Sequence, residues 1–134
     1  MNNRDVKFIK GGDALEFDAD SGFAINPDGQ TAIAFAGDYR NQVLTVVGTG
    51  TVIVYGSCQK TPPDFSQAVT IDNSYVAVML ADYTTPNTYY AGGAGVSVTA
   101  EAKMVEINTN LLTWIGINRS ADTVDVKFTE TDNQ

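Results

Sequence analysis

The chain has 134 residues, enough for one domain with its own core. Eight Lys and Arg stand against sixteen Asp and Glu, a net charge of −8, which argues against nucleic acid or an anionic membrane as the main partner, since both need clustered cations. Histidine is absent and Cys58 is the only cysteine, which excludes Ser–His and Cys–His nucleophiles, an internal disulfide and any multi-cysteine metal site.

Along the chain the hydrophobic period is two nearly everywhere. Met1–Lys10 has no apolar core of the kind a secretory signal carries, so synthesis in a cytoplasm is expected. A strand is predicted over 5–10, where Arg4, Lys7 and Lys10 flank Val6, Phe8 and Ile9. This basic stretch on an acidic chain has two readings. It docks onto a neighbour's sheet edge through Arg4, Lys7, Phe8 and Lys10, or it is an ordinary first strand whose lysines guard an edge. Residues 1–10 are accordingly read as an N-terminal strand or arm, and 11–134 as a β-sandwich domain.

A strand over 14–18 leads to Asp18-Ala19-Asp20-Ser21-Gly22. This resembles a calcium loop only superficially, because Gly comes one position early and no Glu stands at the twelfth. Asp18, Asp20 and Asp28 are read as turn residues in preference to a calcium site. Asn26-Pro27-Asp28-Gly29 is a turn by its Pro and Gly positions.

Strands follow over 31–36, 42–48 and 51–58. Gly48-Thr49-Gly50 is read as a hairpin joining the last two. Thr51, Ile53 and Tyr55 alternate with Val52, Val54 and Gly56, apolar on both faces, as in a strand covered on both sides. Cys58 at its end is expected to be an inert structural thiol. A loop over 59–67 carries Pro62, Pro63 and Phe65, with at most one helical turn at Asp64–Ser66.

Strands are predicted over 67–71 and 74–82; in the second, Tyr75, Ala77 and Met79 alternate with Val76, Val78 and Leu80, apolar on both faces, as in a central strand or one covered on both sides. The loop from Tyr83 to Gly95 then gathers Tyr83, Tyr89 and Tyr90. Exposed tyrosines stack on sugars or anchor a protein interface, and the alternative is that they tuck back over the sandwich edge. Gly92-Gly93-Ala94-Gly95 lacks the Gly-Lys-Ser/Thr ending of a phosphate loop and is read as a turn. The last strands are 95–100, 103–108, 112–118 and 123–129, with Trp114 placed in the core. Val124, Val126 and Phe128 alternate with Asp125, Lys127 and Thr129, the pattern of a half-buried strand.

Many short strands at regular turn spacing predict an all-β, single-domain antiparallel β-sandwich, jelly-roll-like, whose strand order the sequence leaves open. No catalytic residue is assigned: most carboxylates fall in turns, where Asp is favoured for backbone reasons. The chain is read as a non-enzyme without cofactor or metal.

Glu106-Ile107-Asn108-Thr109-Asn110, the Trp114 strand, Ser120-Ala121-Asp122-Thr123 and the final amphipathic strand resemble the closing hairpins of small tailed-phage structural proteins. Val46–Phe65 has the same character. Over most of its length the chain resembles a head decoration (cement) protein of a tailed bacteriophage. That resemblance implies a structural virion protein on the outer capsid surface, made in the host cytoplasm. Its partner would be the major capsid protein, and a homotrimer is the expected assembly. It would bridge capsid subunits against internal pressure. The alternative from the residues is a carbohydrate-binding module of a phage fibre or adhesin, using Tyr83, Tyr89 and Tyr90.

Overall fold

The computed structural model describes residues 4–9, 24–25, 31–35, 39–108, 112–120 and 123–132. The described residues form an all-β, antiparallel fold. Its strands are β1 (Arg4–Ile9), β2 (Ala24–Ile25), β3 (Thr31–Phe35), β4 (Tyr39–Ser57), β5 (Val76–Ala77), β6 (Leu80–Asp82), β7 (Tyr89–Tyr90), β8 (Val96–Asn108), β9 (Trp114–Arg119) and β10 (Val124–Asp132).

Three long antiparallel runs carry the fold. β4 occupies the middle, with β8 along one edge. Along the other edge lie β10, from Tyr39 to Gly48, and then β9, from Val52 to Ser57. The 120–123 connection therefore does not fold β9 and β10 into a hairpin, as the sequence suggested. Each pairs with β4, and Thr49 N–H to the Thr123 carbonyl (3.1 Å) and Ser120 N–H to the Thr51 carbonyl (2.9 Å) stitch the gap between them.

Gly48-Thr49-Gly50 is likewise not a hairpin. It lies inside one 19-residue strand. Gly48 and Gly50 have φ of 116° and 153°, values that favour glycine, and a Cβ at Gly48 would run into the Thr123 carbonyl oxygen. At the same level β8 carries a bulge: Gly48 pairs with Glu101 and Gly50 with Val98, so β8 spends one residue more than β4. Ala100 holds that bulge at φ 46°. The extra residue flips the alternation of β8. Val96 and Val98 are buried before it, Val105 and Ile107 after it.

All three runs are thus interrupted along one line. On one side the order is β1-β10-β4-β8-β6-β7; on the other it is β2-β3-β9-β4, with β5 and the start of β8 on the far edge of β4. Leu44, Val46, Val105, Ile107, Val124 and Val126 from the first half and Ala32, Val52, Val54, Val96, Ile115 and Ile117 from the second form one buried cluster. Both halves of this one antiparallel sheet therefore contribute side chains to a single core.

The outer face of the second half is covered locally. Phe65, 7% exposed, stacks on Tyr55 at 5.6 Å between centroids and meets Tyr75 edge-on at 5.1 Å. Gly116, opposite Tyr55, leaves the room: a Cβ there would lie 2.7 Å from the Phe65 ring. The Tyr75 hydroxyl donates to the Gln67 carbonyl (2.8 Å), pinning the 58–75 loop to the sheet.

Several expectations are corrected here. The 67–71 stretch is not a strand and contributes one isolated bridge, Thr70 to Asn73. The 74–82 stretch breaks into β5 and β6. Cys58 is exposed, one residue past the end of β4. Trp114 is half-buried at the start of β9, and Ile115 and Ile117 supply the core instead. The predicted 14–18 strand, the 26–29 turn and the Asp18, Asp20 and Asp28 positions lie outside the described residues.

Candidate functional site

The tyrosine loop is a short hairpin. β6 and β7 pair Leu80 with Tyr90 and Ala81 with Tyr89, and Tyr83 N–H extends the pairing to the Met104 carbonyl (2.9 Å). Paired residues, and residues two apart on a strand, share a face. Tyr83 and Tyr89 therefore stand on the face of Ala81, and each is 57% exposed. Tyr90 stands on the face of the buried Leu80 and packs against the core.

Asp82 organises the hairpin. Its Oδ1 accepts from Thr84 N–H (2.9 Å), Thr85 N–H (2.8 Å) and the Thr84 hydroxyl (2.9 Å), and its Oδ2 accepts from the Tyr90 hydroxyl (2.7 Å). The tyrosine bond, then the two amides and the threonine hydroxyl, lower its pKa to about 2. The same bond, with burial, pushes the Tyr90 phenol up. Lys103 Nζ sits 5.5 Å from the Tyr90 ring centroid and donates to the Ser97 carbonyl (2.9 Å). Asn87, at φ 62°, makes the turn between β6 and β7. The three tyrosines thus divide: Tyr90 is a structural strut, and Tyr83 and Tyr89 are the displayed pair.

The basic N-terminal residues lie elsewhere. Arg4 stands opposite Thr131, Lys7 opposite Phe128 and Phe8 opposite Lys127, all within the molecule's own sheet. Lys10 lies outside the described residues. β1 and β7 end opposite edges of one half-sheet, five strand spacings apart or roughly 24 Å. The two candidate surfaces are not brought together. Of the three apolar residues on the 59–67 loop, Pro63 and Phe65 are buried and Pro62 is exposed.

Sequence reasoning missed four exposed apolar residues: Val69 (59%), Ile71 (94%), Val76 (65%) and Met79 (60%). Val76 and Met79 were read into a strand covered on both faces, but alternation does not reveal whether the second face has a cover. A usable signal was the scarcity of charge: residues 65–100 hold two charged side chains, Asp72 and Asp82. A groove of about 440 Å³ runs beside this region, lined by Gln59, Thr61, Asp64, Gln67, Asp72 and Asn73 among others. Its amides serve the loop itself. Asn73 bonds Asp64 N–H, the Asp64 carbonyl and the Ala68 carbonyl, and Gln59 bonds Ser74 N–H and the Thr61 carbonyl. Among the described residues no three His, Cys, Asp or Glu side chains gather to hold a metal ion.

No family model matches the chain, and no curated protein does. Among solved structures it is similar to the SPBc2 prophage-derived protein YomS, with a TM-score of 0.61 and 10% sequence identity over 98% of this chain and 96% of that one. At that identity the likeness concerns the fold.

Proposed function

We propose that the chain is a structural protein of a tailed-bacteriophage particle, a head decoration protein that binds the outer capsid surface and bridges its subunits. The observation that carries the reading is the near full-length fold likeness to a prophage-derived protein. Two features of the chain support it. Tyr83 and Tyr89 are displayed on one face of a hairpin that Asp82 holds rigid, an arrangement suited to anchoring a protein contact with little ordering cost. The other large exposed hydrophobics lie in the same charge-poor segment, which docks without desolvating ions. On a lattice, repetition multiplies a modest contact. Catalysis plays no part in this role.

Co-sedimentation of the purified chain with expanded, undecorated shells tests the reading. Saturation at a fixed ratio to the shell protein is expected; pelleting that never saturates, or none at all, rejects it.

The displayed Tyr83–Tyr89 face also favours a second reading, a carbohydrate-binding module of a fibre. Two aromatic rings on one rigid face suit sugar stacking. That reading requires saturable glycan binding which Tyr83→Ala and Tyr89→Ala abolish. Tyr90→Ala is no test of it, since that substitution removes a strut.

A further inference from the structure

On the outward face of the β6–β7 hairpin, one small residue is ringed by large ones. Ala81 pairs with Tyr89 on one side and with Glu106 of β8 on the other. Tyr83, two residues further along, joins the same face beside Met104, whose carbonyl accepts its N–H. Directly opposite neighbours in a sheet stand about 5 Å apart and diagonal ones about 7–8 Å. Tyr89 and Glu106 therefore face each other across Ala81 at roughly 10 Å, and Tyr83 lies diagonal to both. An alanine methyl cannot fill that gap, so the surface dips at Ala81 between two tyrosines and a carboxylate.

The walls of this cup are unengaged. Tyr83 and Tyr89 are each 57% exposed, and Glu106 is exposed. Among the described residues neither ring packs on another aromatic, and no hydrogen bond or ion pair engages the Glu106 carboxylate. That holds for Lys127 too, which shares the face two strands beyond Met104. Asp82 and Tyr90 stand on the opposite face and bond each other.

We infer that this cup takes a single arginine side chain from a partner protein. Aromatic faces attract a cation within about 6 Å of the ring centroid, and a guanidinium, flat and weakly hydrated, lies against rings better than an ammonium. Glu106 supplies the one countercharge it needs, and the net charge of −8 draws cationic segments towards the molecule. A sugar fits less well: its several hydroxyls need several polar partners across the ring, and beside Ala81 and Met104 the cup offers one carboxylate. The inference rests on the reading in which Tyr83 and Tyr89 anchor a protein contact; it names the partner's chemistry there and adds Glu106 to the site.

Nuclear magnetic resonance titration of the full chain with Nα-acetyl-arginine methylamide is the test. The Ala81 and Met104 methyl resonances and the Glu106 carboxyl resonance should shift saturably in the millimolar range. The citrulline analogue, equal in shape but uncharged, should bind at least tenfold more weakly. Tyr89→Leu and Glu106→Gln should each weaken the arginine compound about threefold, as expected of one exposed cation–π contact and one exposed ion pair, with circular dichroism and Tm unchanged. Glu101→Gln removes the same charge from an exposed β8 position outside the cup and should change binding far less. Methyl resonances that stay put, equal binding of the citrulline analogue, or a loss in Glu106→Gln no larger than in Glu101→Gln overturns the inference. So does a neutral oligosaccharide that moves the same methyls while the arginine compound does not. Co-sedimentation with shells separates this inference from the reading it rests on. Saturation of shells by a chain indifferent to arginine sinks the cup and leaves the decoration reading standing, and arginine binding without shell binding does the reverse.

Discussion

The Phe65–Gly116 contact offers a quantitative test of how the outer loop is held. Phe65→Ala removes a ring that is 7% exposed and packed between Tyr55 and Tyr75. A buried aromatic side chain accounts for about 200 Å², or about 5 kcal/mol at 25 cal/mol per Å² as an upper bound. Part of that returns as the 58–75 loop relaxes, so a loss of about 3–4 kcal/mol is expected, within the range for Phe→Ala in cores. Gly116→Ala alone pushes a methyl to 2.7 Å from the same ring, and overpacking of this kind costs about 1–3 kcal/mol. In the double variant the methyl enters the space the ring vacated. The second substitution should then cost nothing or return a few tenths of a kcal/mol, giving a coupling energy of at least about 1 kcal/mol. Urea unfolding of the four proteins, followed by Trp114 fluorescence and circular dichroism, measures the cycle. Additive losses would refute the contact and the account of why position 116 is glycine.

Three further expectations follow from local geometry. Ala100→Gly should raise stability by about 1 kcal/mol, because φ 46° costs an L-residue about that much and glycine almost nothing; Ala100→Val should lower it, both read from thermal unfolding. Gly48→Ala should cost about 2 kcal/mol or more, since its Cβ meets the Thr123 carbonyl oxygen at a φ unsuited to alanine, and the loss should appear as a lower urea midpoint. The folded-state pKa of Asp82 is about 2, below the ordinary value of 3.8, so its contribution is complete above about pH 4 and is lost as pH falls towards 2. Tyr90→Phe removes the largest cause of that depression. The Asp82 carboxyl resonance should then titrate at higher pH, and the Thr84 and Thr85 amides should exchange faster.

Much of the strand content was legible because it rests on local alternation. Leu44, Val46, Val52 and Val54 keep one parity along β4, and the switch from Val96 and Val98 to Val105 and Ile107 already encodes the bulge that Ala100 makes. Pairing was not legible, because partners in this sheet lie far apart in sequence. Gly48-Thr49-Gly50 has hairpin composition, yet its glycines lie within a strand whose neighbours are β8, β9 and β10. The Ser120–Thr123 turn misled in the same way. At the candidate site, the sequence grouped three tyrosines that the structure separates, since only the β6–β7 register shows that Tyr90 faces Leu80 and Asp82. Val76 and Met79 read as covered residues, because an apolar second face looks the same whether protein or solvent lies over it.

The particle reading rests most directly on where the chain is found. Quantitative mass spectrometry of purified particles from the source system, counting this chain against the major shell protein, measures that. The account predicts a copy number comparable to that of the shell protein. Absence of the chain from the particles would contradict it.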